Sequence, residues 1–351
     1  MPKEKVNTME KLFFIEKFHH ALKNILNDQD ISLGLSDGKM GACIYFYHLA
    51  KSIDHAAYQQ LAEELLDEVL SRINTVKTID IENGLLGIAL GVSYLIRNNH
   101  IQGDENEALK EIDDKVFNYV GFNHTGEEVA NLIQILYYIC IRKQAVSLKE
   151  ANYLFNELSV QIINTLHIKM ESIIKEDRIG FDIRTKLPLF LFVLSKVWQF
   201  HFYNHKIEKM MHEAIPFIVS KYAATNAQRL YLLWGIGKMN LCIGDERLTK
   251  HCNLLLSSID TRDLLYEFRN KSVFIDDGIT GVCLLIASLW KEEKSKLDLR
   301  SFYTEAKKRI DTSLIWEWCD NWEIVKDHLG LMGYSGVAMV RDLITRENDE
   351  A

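Results

Sequence analysis

Two adjacent carboxylates, Asp276 and Asp277, are the residues of this chain whose types and spacing suit chemistry best. Paired carboxylates bind hard cations such as Mg²⁺ or Ca²⁺, and crowding that raises the pKa of one of them creates an acid/base pair. A structural role competes with this interpretation, because Asp is a preferred residue at the N-terminus of a helix. We expect Asp277 to cap the helix that follows, and Asp276 to be the better candidate for function.

Other polar residues stand at similar places, in the short segments that precede apolar stretches of the chain. They are Asp37, Glu82, Asn83, His124 and His328. If the apolar stretches all begin at one end of the fold, these side chains and the two aspartates rim one pocket, where carboxylates and imidazoles suit proton transfer or cation binding. A solvated loop surface without chemistry is the alternative. Asp37 and Asn83 occupy the position in their repeats that Asp277 occupies in its own, directly before the glycine. This repetition supports capping as the role of Asp277.

A glycine pattern, Gly-x-x-Gly, opens four of these apolar stretches, and the first two and the last two copies are each separated by about 50 residues, the spacing of a repeat protein. The copies are Gly38–Gly41, Gly84–Gly87, Gly278–Gly281 and Gly333–Gly336. Degenerate copies follow Gly126, follow Thr185 and surround Gly235. The sequence therefore predicts seven units, numbered one to seven in chain order.

Each unit is predicted to pair an amphipathic outer helix with an inner helix that is apolar on nearly all sides. Residues 58–73 show the outer type, and residues 88–96 the inner type. Only three prolines occur and few segments alternate as strands do, so the fold class is all-α. Inner helices of this kind favour a closed ring of about seven helical hairpins, an α/α toroid, over an open solenoid. We expect one domain over residues 1–351.

Local signals add smaller predictions about the helix ends and the cysteines. Residues 125–128 read as a capping box, and Asp104 is placed to cap the next helix. Cys43 and Cys283 occupy the same register inside inner helices, which predicts a packing role for both.

The bulk composition excludes several function classes. The net charge is −8, and no basic stripe with interleaved aromatic residues is visible, which argues against nucleic acid or an anionic membrane as partner. No apolar stretch is long enough to span a bilayer, and the N-terminal residues do not resemble a secretory signal. Six cysteines without a Cys-x-x-Cys motif indicate reduced thiols and a cytoplasmic protein.

This pattern of sequence repeats resembles that of the lanthionine synthetase C-like family, over roughly residues 8–345. The resemblance is carried by the four Gly-x-x-Gly copies, and it implies a seven-fold α/α toroid. It also implies a peptide-cyclising activity, as in lantibiotic biosynthesis, in which a zinc-bound substrate thiolate adds to a dehydrated serine or threonine. A precursor peptide is then the expected partner.

The chain departs from the family at the residues that would hold zinc, which are two cysteines and a histidine. A Trp-Cys-x-Gly segment is replaced in the fifth repeat by Trp234-Gly235-Ile236-Gly237, and Asp276-Asp277-Gly278 stands in place of Cys-His-Gly in the sixth. A His-Gly pair that often supplies a general acid is absent at residues 184–187. We therefore expect neither zinc nor another cofactor.

These arguments give two sets of candidate site residues. The catalytic candidates are Asp276, Asp277, His124 and His328, and the substrate-binding candidates are Asp37, Glu82, Asn83 and Trp234. The main hypothesis is a zinc-free lanthionine synthetase C-like protein that binds a peptide or modifies it by acid/base chemistry. A carbohydrate-active enzyme with paired carboxylates on a related toroid and an interaction scaffold without catalysis are the alternatives.

Overall fold

The structure is a computed structural model that describes residues 17–22, 25–26, 28–53, 56–145, 149–175, 180–182, 185–268, 272–290 and 299–350. All regular elements in these ranges are helical. None of the helices found there combines the length and the hydropathy that crossing a membrane requires.

Residues 17–22 are helical, and sixteen α-helices follow them within the described ranges. They are α1 (Lys39–Ile53), α2 (Ala56–Arg72), α3 (Leu85–Arg97), α4 (Glu105–Asn123), α5 (Val129–Ala145), α6 (Lys149–Ile168), α7 (Met170–Ile174), α8 (Lys186–Trp198), α9 (Asn204–Ile218), α10 (Asn226–Ile243), α11 (Glu246–Ser257), α12 (Thr261–Glu267), α13 (Ile279–Trp290), α14 (Leu299–Asp311), α15 (Trp322–Val325) and α16 (Tyr334–Glu350). Short 3₁₀ turns cover Ile73–Thr75, Leu314–Trp316, Trp318–Asp320 and Lys326–His328.

Seven of these helices begin at the predicted repeat starts and are the inner helices: α1, α3, α5, α8, α10, α13 and α16. Helix α3 illustrates why they need neighbours on most sides. Nine of its residues are buried, and they point in nearly all directions around the helix axis. Such a helix is stable only when other helices cover it.

The outer helices carry one apolar face, as α2 shows. Its buried residues are Ala62, Leu65, Leu66 and Val69, spaced three and four apart. Residues at this spacing lie on one side of a helix, so α2 packs on α1 with that side and exposes its acidic side. The amphipathic helix predicted over residues 58–73 is thus confirmed, with ends at Ala56 and Arg72.

The chain forms two compact units, each built from separate segments. Unit 1 contains Met1–Gln102, Ser272–Cys283 and Asp298–Ala351, and unit 2 contains Gly103–Lys271 and Leu284–Leu297. In unit 1, α1 packs on α2, α3 and α16, and α14 packs on α16. In unit 2, α5 packs on α6 and α8, while α10 packs on α8, α11 and α12. The assignment of one domain to the whole chain stays a prediction.

A buried cation fastens an inner helix to an outer helix in each unit. In unit 1, Lys39 is fully buried and its Nζ lies 2.6 Å from both carboxylate oxygens of Glu68. In unit 2, Arg142 is 1% exposed and pairs with Asp113 and Glu105 at 2.9 and 3.0 Å. Removing one partner from such a pair would leave a buried charge uncompensated, so both pairs hold the helices in register.

Candidate functional site

Four loops of unit 1 precede α1, α3, α13 and α16, and they lie side by side. We call residues 31–38, 78–84, 272–278 and 328–333 the loop row. Backbone hydrogen bonds connect them: Ile275 N to Met332 O (3.2 Å), Met332 N to Ser36 O (2.9 Å), Leu331 N to Leu35 O (3.0 Å), Leu329 N to Asp37 O (3.2 Å) and Ser36 N to Glu82 O (2.8 Å). The loops thus follow the order of repeats six, seven, one and two, and the last repeat is bonded to the first.

Glycines permit this close approach of the loops to the helix starts. A Cβ atom on Gly41 would lie 2.3 Å from the carbonyl oxygen of Leu35 and 2.5 Å from the backbone nitrogen of Leu331. A Cβ atom on Gly336 would lie 1.7 Å from the carbonyl oxygen of Leu331. No side chain fits at these distances, which explains why the second glycine of the pattern is needed at these two repeats.

Asp37 and Asn83 contact each other across the first two repeats. The Nδ2 atom of Asn83 donates to Asp37 Oδ2 at 3.0 Å, and Ser32 Oγ donates to Asn83 Oδ1 at 3.0 Å. The N-cap residue of α3 is Gly84, and it makes no side-chain capping bond. The side chain of Asn83 therefore bridges two loops. The carboxylate of Asp80 accepts from the backbone N–H groups of Asn83 and Gly84.

Three further candidates of unit 1, Asp276, Asp277 and His328, lie in the loops that precede α13 and α16. Asp276 is partly buried, and its Oδ1 accepts from the backbone N–H of Asp277 at 2.9 Å. Asp277 and His328 are exposed. The ring of His328 stacks on Phe274, with ring centroids 5.4 Å apart. Neighbouring loops of unit 1 therefore carry Asp37, Glu82, Asn83, Asp276, Asp277 and His328.

His124 belongs to unit 2 and has a role at a helix end. It is the C-cap residue of α4, and its Nδ1 lies 2.9 Å from the carbonyl oxygen of Val120. A carbonyl accepts only, so Nδ1 carries a proton. The capping box predicted at residues 125–128 is wrong, because α5 begins at Val129 and Thr125 lies in the preceding turn. The predicted cap at Asp104 is confirmed by its bonds from Asn106 N and Glu107 N.

Trp234 also belongs to unit 2, where it joins an aromatic cluster on the inner helices. Its ring stacks on Phe192 at 4.6 Å and on Tyr231 at 5.7 Å, and its Nε1 donates to Ser288 Oγ at 3.2 Å. The side chain is partly exposed.

The next residue, Gly235, stands where the family that this chain resembles has a zinc-binding cysteine. A Cβ atom there would lie 2.6 Å from both the Cα atom and the carbonyl oxygen of Pro188. Helix α10 thus packs directly on the backbone of α8 at this point. A cysteine at position 235 would require the two helices to move apart, so packing explains the missing ligand.

The four buried thiols of the chain do not replace that ligand. Cys43, Cys140, Cys283 and Cys319 are buried, which confirms the packing role predicted for Cys43 and Cys283. Burial raises the pKa of Cys140, Cys283 and Cys319 to about 12, and it raises the pKa of Cys43 as well. Metal binding needs a thiolate. Among the described residues, no three His, Cys, Asp or Glu side chains are grouped to hold a metal. The donors present do not fit the family's zinc site.

Sequence reasoning missed three partly exposed residues on the inner helices of unit 2: Tyr137, Lys196 and Lys238. A signal for two of them was available. Both α8 and α10 place an aromatic residue four positions before a lysine, as Phe192 and Lys196 and as Trp234 and Lys238. Residues four apart share one side of a helix.

The helices and the glycine-based loop row define an all-α protein of the α/α toroid class, as predicted. Among solved structures the chain is similar to nisin cyclase, with a TM-score of 0.63 and 13% sequence identity, over 99% of this chain and 95% of that chain. At this identity the similarity shows the fold. No protein-family model matches the chain, and no curated protein sequence does.

Proposed function

We propose that this chain is a lanthionine synthetase C-like protein of the cytoplasm that binds a precursor peptide, without zinc, along the loop row. One observation carries the proposal: the similarity to nisin cyclase extends over almost the full length of both chains. Since fold alone does not determine activity, the proposal also needs a surface that suits a peptide.

The loop row supplies donors and acceptors of the kind that a peptide backbone requires. Asn83 and Asp277 are exposed, His328 is exposed, and Asp37 is partly exposed. A peptide lying across these loops would meet an amide, carboxylates and an imidazole in neighbouring repeats. If the protein also catalyses a step, carboxylate and imidazole groups can take up and return a proton, which fits modification by acid/base chemistry better than thiolate addition.

A carbohydrate-active enzyme is less well supported by the same residues. Glycosidases place two carboxylates about 5–10 Å apart on either side of the scissile bond. Here the two aspartates are adjacent in sequence, and Asp276 accepts a hydrogen bond from the backbone of Asp277. That arrangement directs one carboxylate oxygen toward its own loop. An interaction scaffold would bind the peptide in the same way and catalyse no step.

A retention experiment separates peptide from carbohydrate. Immobilised protein is offered a pool of random 12-residue peptides and a pool of malto-oligosaccharides, and retained molecules are identified by mass spectrometry. We expect enrichment of peptides, reduced about tenfold in the double variant Asp37→Asn/Asp277→Asn. The matched control is Asp67→Asn/Asp114→Asn, which changes two exposed aspartates of outer helices. Retention of oligosaccharides in place of peptides would overturn the proposal.

The zinc part of the proposal has its own test. Purified protein is analysed for metal, then incubated with Zn²⁺ and a synthetic peptide that contains one cysteine and one dehydroalanine. Loss of the iodoacetamide-reactive thiol reports thioether formation. We expect substoichiometric zinc and a rate no higher than without protein. Stoichiometric zinc with accelerated thiol loss would show that the donor assignment is wrong.

A further inference from the structure

A group of three side chains with metal-binding donor atoms, His48, Tyr94 and His100, lies in unit 1 outside the loop row, and we call it the histidine–tyrosine cluster. His48 belongs to α1, Tyr94 belongs to α3, and His100 lies in the turn that follows α3. All three residues are partly exposed. The loop row precedes α1 and α3, so the cluster stands nearer the opposite ends of the same two helices.

The turn after α3 holds His100 in a fixed place. Asn99 has a φ of 55°, the left-handed conformation in which many helices end. The backbone N–H of Asn99 donates to Ile96 O at 3.1 Å, and that of His100 donates to Leu95 O at 2.9 Å. These two bonds form a Schellman motif. The backbone of His100 is therefore tied to the last turn of the helix that carries Tyr94.

The three rings of the cluster are spaced as ligands of one metal ion are. The Nε2 atom of His48 and the hydroxyl of Tyr94 are hydrogen-bonded to each other, and their ring centroids are 5.7 Å apart. The ring centroid of His100 lies 4.9 Å from that of His48 and 6.2 Å from that of Tyr94. Two imidazoles on one tetrahedral ion have centroids roughly 5 Å apart, and an imidazole and a phenolate roughly 6 Å apart. The three observed distances are close to these values.

We infer that His48, Tyr94 and His100 bind one divalent transition-metal ion, with Cu²⁺ preferred to Ni²⁺ and Zn²⁺. Imidazole suits these ions, whereas Mg²⁺ and Ca²⁺ prefer carboxylate and carbonyl oxygens, and Cu²⁺ is the tightest binder among them. The inference goes beyond the proposed function, because none of the three residues belongs to the loop row or to the positions where the resembled family has zinc ligands.

The ion takes the place of the proton in the hydrogen bond between His48 and Tyr94. The phenol loses that proton to solvent, the phenolate oxygen and Nε2 of His48 each donate a lone pair, and the ring of His100 turns to supply the third donor. Water fills the open position, so the ion exchanges and protein purified without added metal should retain less than one equivalent. A bound ion ties α1 to the turn after α3.

Isothermal titration calorimetry on the full chain tests the inference. The protein is dialysed against EDTA and then against chelator-free buffer, and it is titrated with CuCl₂, NiCl₂, ZnCl₂ or MgCl₂. We expect one Cu²⁺ per chain, weaker binding of Ni²⁺ and Zn²⁺, and no binding of Mg²⁺. A phenolate-to-copper absorption band should appear at saturating Cu²⁺. It should be absent in Tyr94→Phe, which keeps the aromatic ring and removes the oxygen donor.

Variants assign the ion to the histidine–tyrosine cluster. His48→Gln and His100→Gln should each weaken Cu²⁺ binding at least about tenfold, because each removes a donor. Lys51→Met should tighten binding at low salt, because the positive charge of Lys51 acts on His100 and opposes a second cation. The control is His212→Gln, which changes an exposed histidine of α9 and should leave the affinity unchanged. Ni²⁺ should raise the midpoint of thermal unfolding of the wild type, and not that of His48→Gln.

Each contrary result overturns the inference. If either histidine variant binds Cu²⁺ as the wild type does, the ion is adventitious and the shared site does not exist. Binding of Mg²⁺ as tight as that of Cu²⁺ would indicate a hard-cation site, and a copper band that persists in Tyr94→Phe would exclude the phenolate donor. Circular dichroism confirms that each variant is folded, and Tyr94→Phe and Lys51→Met keep the test decisive if a histidine variant is not. Retention of peptides by the loop row is unaffected by any of these results.

Discussion

The helix starts of unit 1 and unit 2 are held by different groups. In unit 1 the loop row fixes the starts of α1 and α3 through backbone hydrogen bonds and glycine contacts. In unit 2 the start of α10 is held by side chains. Thr225 and Gln228 form a capping box, and Glu267 accepts from the backbone N–H groups of Asn226 and Ala227 at 2.6 and 3.0 Å.

The two units therefore differ in which polar side chains are used to hold the helix starts. At the start of α3, backbone carbonyls and the carboxylate of Asp80 accept from the free N–H groups, and Asn83 contacts Asp37. In unit 2, capping occupies Thr225 and Glu267, and the accessible groups are lysines and aromatic rings on the inner helices.

The largest expected effect tests the glycine contacts of unit 1. In Gly87→Ala the new Cβ would lie 2.1 Å from the carbonyl oxygen of Ile81. We expect a loss of about 3 kcal/mol in the free energy of unfolding, measured by urea denaturation. The control is Gly237→Ala in unit 2, where no atom of the described residues lies within 4 Å of the added group. That variant should gain about 0.5–1 kcal/mol. Similar stability of the two variants would contradict the contrast between the units.

The next effect tests side-chain capping in unit 2. Glu267→Gln removes the negative charge that faces the N-terminus of α10 and weakens its hydrogen bonds. We expect a loss of about 1–2 kcal/mol in unfolding free energy. The control is Glu246→Gln, whose side chain is 80% exposed and pairs with Lys250, and it should change stability by less than about 0.5 kcal/mol. Equal losses would show that Glu267 is not a special cap.

The next prediction concerns how the free energy of unfolding depends on pH through Lys143, a partly exposed cation on an inner helix of unit 2. Burial lowers the pKa of Lys143 from 10.5 to about 8, and its Nζ lies 3.9 Å from the ring centroid of Phe202. Between these values the unfolded chain binds more protons than the folded one, so the free energy of unfolding rises with pH. Lys143→Met should lose this rise between pH 8 and 10, while the exposed Lys250→Met retains it. Parallel curves for wild type and Lys143→Met would contradict the assignment.

The smallest effect concerns the bridge between Asp37 and Asn83. Asn83 is exposed, so Asn83→Ala should cost only about 0.5 kcal/mol, whereas retention of the peptide pool should fall several-fold. Asn253→Ala on the exposed side of α11 is the control and should alter neither property. A stability loss as large as that of Gly87→Ala, without loss of retention, would make Asn83 a structural residue.

Much of the fold was accessible from the sequence because it depends on local patterns. The glycine pattern predicted the starts of α1, α3, α13 and α16, and apolar runs predicted the three remaining inner helices. The site was accessible only in part. Position suggested that Asp37 and Asn83 lie near each other, and packing shows that Asn83 donates a hydrogen bond to Asp37.

Contacts between distant residues account for what was missed. Phe192 and Trp234 belong to different repeats and become neighbours only when α8 packs on α10. The reason for glycine at position 235 is likewise a backbone in another repeat, that of Pro188. Such features depend on the tertiary arrangement, and no residue pattern within one segment reports them.

The bonding of the seventh repeat to the first has a consequence for biosynthesis. The indole of Trp322 donates to Asp28, 294 positions earlier in the chain, and Leu329, Leu331 and Met332 supply N–H groups to carbonyls of residues 35–37. A nascent chain on the ribosome cannot make these bonds until its final repeat has left the exit tunnel. Until then the edge of the first repeat stays open, and a chaperone has its longest opportunity to bind there.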